Sequence, residues 1–291
     1  MEFATETSYR KILASFWRPR IGHKPVADIR YSDLTSILSA YPWAKRKTRN
    51  NVVSVCRLVF NFAVADKIIH ESPAEQLKSL KVQKQPPDPY ALTEAEAVIA
   101  GMRSFWGDHD ANYVEFGFFV GARPSELIAL QWSDVDFNKG IIRIDKARVM
   151  GHDKDTTKTA VVRDVELCPR AVTVLKRQRA LTGLKGEHVF GHDTGESYHD
   201  LQLPWKRWVF VHKKLGIHYR ELYQMRHTSV TWNLMIGKNL LWVAQNHGHS
   251  AAVMLKTYAK WLTGSTEKDV EKIRAAMGFA TNLPLAAHHT A

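Results

Sequence analysis

The chain has 291 residues, enough to bury the cores of two domains. Its 41 Lys and Arg against 29 Asp and Glu leave a net charge of +12, a balance that favours a polyanionic partner, nucleic acid first and an acidic membrane surface second. The two cysteines, Cys56 and Cys168, lie far apart, which argues against a disulfide scaffold. Without a signal-like start or an apolar run near about 18 residues, a cytoplasmic, nucleoid-associated protein is expected.

Residues 1–83 read as helical, in the segments SYRKILASFW, YSDLTSILSAY, KTRNNVVSVCRLVFNFAVADK and a short PAEQLKSL. In the third, Val52, Val53, Val55, Leu58, Val59, Phe62 and Val64 are expected to crowd one broad buried face. This region carries fourteen Lys and Arg against seven Asp and Glu, over half of the excess charge. Lys45, Arg46, Lys47 and Arg49 fall together at the start of the third helix. Such a cluster is either a solvated helix end or a set of phosphate contacts that releases counterions from a duplex. KVQKQPPDPY, with Pro86, Pro87 and Pro89, stops any helix. Domain boundaries are therefore expected at 1–83, a linker at 84–90 and a second domain at 91–291.

In the second domain, Thr93 followed by Glu96 reads as an N-cap with its capping-box partner. ANYVEFGFFVGA is apolar nearly all round and predicts a buried helix delivering GARPSEL, where Pro124 suits a helix start. Strand character begins near Gly140, and TAVVRDVEL closes a hairpin whose loop is MGHDKDTTK. RAVTVLKRQRAL predicts a helix, HVFGHD a short strand and WKRWVFVHKKLGI another helix. The final helices hold YQMRH, HGH and, nine residues after His249, Tyr258. The pattern is mainly α with a small antiparallel sheet, an α+β domain behind an all-α one.

Taken together, GARPSEL, the TTKTAVVRDV hairpin, Arg226-His227, Gly248-His249 and Tyr258 resemble the tyrosine recombinase, or phage-type integrase, family. The resemblance covers residues 91–262 well and the N-terminal part more loosely. It implies a two-domain clamp, with a helical core-type DNA-binding domain using Lys45, Arg46, Lys47 and Arg49. It also implies transesterification at a DNA phosphodiester through a 3′-phosphotyrosyl link, with neither metal nor ATP. No G-x-x-x-x-G-K-[ST] loop and no spaced Asp/Glu set for two metals is present in the sequence. Carried over position by position, Tyr258 is the nucleophile and Arg123 and Arg226 hold the phosphate, a task suited to a planar, always-charged fork. Lys158, favoured over Lys154, is the acid for the leaving oxygen, and His249 donates to the phosphate. Glu126 is expected to hold Arg123, and His227 to be a structural hydrogen-bonder.

The sequence departs from the family where the H-x-x-R-H box begins. Tyr223 stands in place of His and cannot shuttle protons near neutral pH, with His218 a distant substitute. His247 raises the idea of a metal-binding HGH, but two ligands make a poor zinc site. The expected partners are recombination-site DNA, a homotetramer on that DNA and DNA-bending accessory proteins. The segment after Tyr258 is expected to pack on its own domain or on a neighbouring protomer. A further small N-terminal domain, carried by integrases that bind two kinds of site, is expected to be missing. A catalytically impaired integrase-like DNA binder and a type IB topoisomerase are the alternatives.

Overall fold

The computed structural model describes residues 3–83, 85–154 and 162–261, and the chain divides into two compact units between Gln85 and Pro86. Among its described residues the first unit is helical. Helix α1 (Phe3–Ile12) passes through a π-helical turn, Leu13–Trp17, into α2 (Arg18–Ile21), and α3 (Tyr31–Ala40) and α4 (Arg46–Ala65) follow. The π-turn precedes Pro19, which has no N–H to donate; the Arg20 guanidinium donates to the Phe16 carbonyl at 2.7 Å. Trp17, Leu34, Leu38, Val53, Cys56 and Phe60 form the core, and the indole of Trp17 donates to the Val52 carbonyl at 3.0 Å.

The buried stripe of α4 is narrower than its apolar content suggests. Val52, Val53, Val55, Cys56, Phe60 and Ala63 are buried, whereas Phe62 is 58% exposed, having turned off that face. PAEQLKSL makes turns rather than a helix. Its last residue is tied to the start of α4: Asn50 exchanges two hydrogen bonds of 2.8 Å with the backbone of Leu80.

In the second unit, α5 (Leu92–Trp106), α6 (Asp108–Val120) and α7 (Pro124–Leu127) are followed by five short strands. These are β1 (Val135–Asp136), β2 (Ile141–Ile144), β3 (Ala147–Val149), β4 (His152–Lys154) and β5 (Arg163–Glu166). Helices α8 (Pro169–Thr182), α9 (Gln202–Leu215), α10 (Gln224–Met235), α11 (Leu240–His247) and α12 (Ala251–Tyr258) complete it. The sheet has the antiparallel order β1-β2-β5, with Ile142 opposite Val165 and Ile144 opposite Arg163. The expected hairpin loop contains its own two-stranded ribbon, β3-β4, turning at Met150 and Gly151.

Helix α6 is the axis of this unit, packed on α5, α8 and α10. Every residue from Asp110 to Phe118 is buried; its charged and amide side chains have partners, whereas the Tyr113 hydroxyl has none among the described residues. Asp110 accepts from Arg207, Glu115 from Arg170 and Arg177, and Asn112 donates to Gln178. A buried polar group without such a partner costs about 1–3 kcal/mol.

Three local expectations are corrected. The N-cap of α5 is Ala91, with Glu94 accepting from its N–H at 3.0 Å, so Thr93 sits inside the helix. Glu96 pairs instead with Arg170. HVFGHD makes only isolated bridges, Gln131 to His188 and Gly191 to Ser197, because no neighbouring strand extends far enough to pair it. Asp88 and Tyr90, expected in the linker, are anchored in the second unit: Asp88 pairs with Arg220, and Tyr90 is buried with its hydroxyl 2.7 Å from His212 Nε2.

Helix α6 ends at Gly121, whose φ of +66° is left-handed. A Cβ there would lie 2.5 Å from His247 Nε2. Gly121→Ala is therefore expected to destabilise the second unit by about 2–5 kcal/mol, combining about 1–2 for the left-handed backbone with about 1–3 for displacing a packed ring. A urea-unfolding midpoint measures this directly.

Candidate active site

Two left-handed glycine corners bring the functional side chains together. After Gly121, Arg123 becomes the N-cap of α7, with Pro124 at its first position. Gly248, with φ +62°, caps α11 and turns the chain so that His249 follows before Ser250 starts α12. The side chain of Ser250 accepts from the Val253 N–H at 3.3 Å. Between these corners lies α10, which carries Arg226 and His227. Tyr258, the last residue of α12, packs in a cluster with Val230, Leu234, Val243, Ala244 and Met254.

Glu126 organises the cationic side of the site. It is 1% exposed, and burial alone would raise its pKa. The Arg163 and Arg123 guanidiniums outweigh that effect and hold the carboxyl below its ordinary value. Its carboxylate accepts from Arg123 Nη1 at 2.7 Å, from the Arg123 N–H at 2.8 Å and from Arg163 Nη2 at 2.6 Å. Arg163 also donates to the Asn246 carbonyl at 3.3 Å. The sequence carried a signal for Arg163: it alternates inward with Val165 along β5 while Asp164 and Glu166 face out. An inward arginine calls for a buried carboxylate.

Arg226 is fully buried. Its Nη1 donates to the Gly121 carbonyl at 2.9 Å, and its Nη2 reaches the His247 carbonyl and, at 3.1 Å, His249 Nε2. Its Nε has no hydrogen-bond partner among the described residues, nor does the buried Nδ1 of His249. Burial is the main influence drawing the Arg226 pKa down to about 10, so the guanidinium stays charged near neutral pH. Burial, then Arg226, pushes His249 down to about 2. His249 therefore accepts the arginine N–H through Nε2 and carries its proton on the unpartnered Nδ1.

The Tyr258 hydroxyl is buried and lies 2.6 Å from His227 Nδ1, and burial raises its pKa above the ordinary phenol value. Burial and Arg226 pull the His227 pKa down to about 4, so the ring is neutral, and in the tautomer protonated at Nε2 its Nδ1 accepts the hydrogen bond of the hydroxyl. His227, expected to be structural, thus touches the hydroxyl of the expected nucleophile. Tyr223 packs edge-on against the His227 ring, centroids 5.1 Å apart. It shares with Arg123, Ser125, Gln202, Trp205 and Tyr219 the lining of an open cleft of about 520 Å³.

The structure therefore gathers Arg226, His227, His249 and Tyr258 in direct or ring-to-ring contact, with Arg123 and Glu126 beside them through Gly248. Lys158 lies outside the described residues. Lys154 stands on β4 opposite Ala147. His218 lies 3.9 Å from Asp88, with its side chain 76% exposed, and the imidazole at the Tyr258 hydroxyl is that of His227. Both ring nitrogens of His247 are engaged, with the Val243 carbonyl at 2.9 Å and Ser229 Oγ at 3.0 Å, which removes the basis for an HGH metal pair. Among the described residues no group of three or more His, Cys, Asp or Glu could hold a metal ion, and no helix is long and apolar enough to cross a membrane. Lys45, Arg46 and Lys47 are exposed and Arg49 is half-buried, all at the start of α4. Arg46 and Arg49 also donate to the carbonyls of Lys81 and Lys78, so two of the four cations hold local structure.

Comparison with known proteins places these units. The phage integrase family matches residues 94–263, and the phage integrase central domain matches residues 3–80. Prophage integrase IntR of Escherichia coli is 28% identical over 294 residues, covering 87% of this chain and 70% of its own length. The Tn1549 transposon integrase, solved with a circular intermediate DNA, superposes with a TM-score of 0.72 at 18% identity over 94% of both chains. A lambda integrase tetramer bound to a Holliday junction gives 0.71 at 15% identity, over 86% of this chain and 72% of that one. The chain belongs to the phage integrase family of tyrosine recombinases.

The depressed histidines set a pH dependence. His227, His247 and His249 are held near about 4, 3 and 2, all below the ordinary value of about 6.5 that applies when unfolded. Between those limits the unfolded chain binds more protons, so stability rises with pH. It is complete above about pH 6.5 and is lost as the pH falls toward the folded values. Thermal unfolding midpoints should drop between about pH 6.5 and pH 5, and His249→Gln should flatten the stability slope by about 1.4 kcal/mol per pH unit, the value for one proton.

Proposed function

We propose that this chain is a site-specific DNA recombinase in which the Tyr258 hydroxyl attacks a DNA phosphodiester. The attack leaves a 3′-phosphotyrosyl link and a free 5′-hydroxyl, and rejoining reverses it without metal or ATP. The observation that carries this reading is that the buried Nε of Arg226 and the buried Nδ1 of His249 both lack a partner among the described residues, within one cluster that contains Tyr258. An orphaned N–H on a buried guanidinium and another on the imidazole it contacts suit incoming non-bridging phosphate oxygens, whose charge grows in the transition state. Arg123 supplies a second guanidinium, oriented by Glu126. Removing the Arg123 fork should cost on the order of 3–4 kcal/mol of transition-state stabilisation. In this reading Lys158, in the segment between β4 and β5, protonates the leaving 5′-oxygen.

The first unit acts as the core DNA-binding domain and the second as the catalytic domain. Helix α4 has no acidic residue in its first turn, where a helix N-terminus ordinarily favours negative charge. Lys45, Arg46, Lys47 and Arg49 add four cations to that positive end, an arrangement relieved by duplex phosphates. The working assembly is a homotetramer on recombination-site DNA, with bending proteins as accessory partners. A second reading, an impaired integrase-like protein that binds DNA without turnover, draws support from Tyr223 at the position where the family has His.

Covalent trapping separates the two. Protein incubated with supercoiled plasmid carrying the DNA that flanks its own gene, then quenched with SDS, should yield protein-linked DNA that is lost in Tyr258→Phe. Salt-sensitive retention of the same DNA with no adduct in the wild type would favour the non-catalytic reading. Replacing Lys45 and Lys47 with Ala should lower the salt slope of DNA binding by about 1–2 in log–log terms, roughly 0.9 for each phosphate no longer neutralised, without changing which DNA is preferred.

A further inference from the structure

Tyr223 creates a chemical gap. A phenol whose own pKa is raised by burial needs a proton acceptor, and the residue three positions before Arg226 is not an imidazole. Residues four apart on a helix share a face, so the position one turn beyond Tyr223 looks onto the same space. That position is His227, and its ring lies edge-on to Tyr223 with its Nδ1 2.6 Å from the Tyr258 hydroxyl.

We infer that His227 is the general base for Tyr258, the imidazole function having moved one helical turn along α10 from position 223 to position 227. The inference rests on the recombinase reading above. The distance is that of a base poised on the proton it removes. Tyr223 packs edge-on against the ring. The groups facing His227 are Arg226 and Tyr223 on its own helix, Tyr258 on α12 and His249 on the turn before α12. Arg226 is the charged member of this set. Without DNA its charge, together with burial, keeps His227 neutral with an open lone pair. A phosphodiester bound at Arg226 offsets that charge and strengthens the base as the substrate arrives.

The step balances without any further reactant. The Tyr258 proton passes to His227 Nδ1 while the phenolate oxygen forms a bond to phosphorus. The bond from phosphorus to the 5′-oxygen breaks, and that oxygen takes a proton from the Lys158 ammonium. In rejoining, the 5′-hydroxyl returns its proton to the Lys158 amine, and His227 gives its own back to the tyrosine oxygen.

The test compares wild type, His227→Asn and His227→Gly in single-turnover formation of the SDS-trapped adduct on the same flanking-DNA plasmid, across a pH series. Asn can accept the tyrosine hydrogen bond but cannot take the proton. Its rate is expected to fall about 100-fold or more near neutral pH and to recover about tenfold per pH unit on raising the pH, as direct ionisation of the phenol takes over. Filter retention of DNA should be unchanged, and added imidazole should restore adduct formation in His227→Gly. A wild-type rate in the Asn variant would overturn the inference, as would a loss equal at every pH with no imidazole rescue; either result leaves His227 a packing partner and the recombinase reading intact. Absence of a Tyr258-dependent adduct in the wild type sinks both.

Discussion

One buried carboxylate sits at the centre of the second unit's chemistry. Glu126 is enclosed between the guanidiniums of Arg123 and Arg163, and Arg226 lies nearby with only carbonyls and a neutral imidazole for partners. Two guanidiniums thus share this carboxylate, and the third has no carboxylate partner among the described residues. Burying ions is costly unless their partners compensate, and among the described residues the cluster retains positive charge that no carboxylate neutralises. That surplus makes an anion the complementary guest, and it is why the carboxylate matters beyond the residues it touches. Glu126 reaches Arg123 at the start of α7 and Arg163 at the start of β5, while Arg163 and Arg123 reach back to the Asn246 and Gly248 carbonyls.

The backbone geometry serves the same cluster. Gly121 and Gly248 end α6 and α11 in the left-handed region, where other residues are strained. The first corner presents the carbonyl that receives Arg226, and the second presents His249 to the same guanidinium. His247 is buried between them, its imidazole against Gly121. The histidines here are neutral in the folded state, which leaves the guanidiniums to carry the positive charge of the site.

Much of this was legible in the sequence because the motifs lie at the helix ends that meet. GARPSEL, the Arg-His pair, the Gly-His pair and Tyr258 are linked in the sequence by their resemblance to one family, and the structure places their described members side by side. What eluded the sequence was decided by partners distant along the chain. His227 resembled a structural histidine because nothing local shows that Tyr258, thirty-one residues later, returns to its ring. Thr93 lost the cap of α5 because the helix begins at Leu92, which puts Glu94 within reach of the Ala91 N–H. Glu96 is then free to meet Arg170, a partner seventy-four positions away. HVFGHD has strand composition, but strands need a paired neighbour, and composition does not supply one. Phe62 illustrates the converse, an apolar residue that helical rotation carries out of the core.

The anchoring of Asp88 and Tyr90 has a consequence for where the second unit begins. The Tyr90 N–H donates to Thr228, its carbonyl receives the Trp232 indole, and the Asp88 N–H reaches the Gln224 side chain. All three partners lie on α10, the helix that also carries Arg226 and His227. The segment entering the unit is therefore stitched along the back of the helix that positions the reactive groups. A fragment cut at residue 94, where the family match starts, would lack a fully buried aromatic ring and three fastenings of that helix. The second unit therefore extends upstream of the family match, into the proline-rich stretch itself.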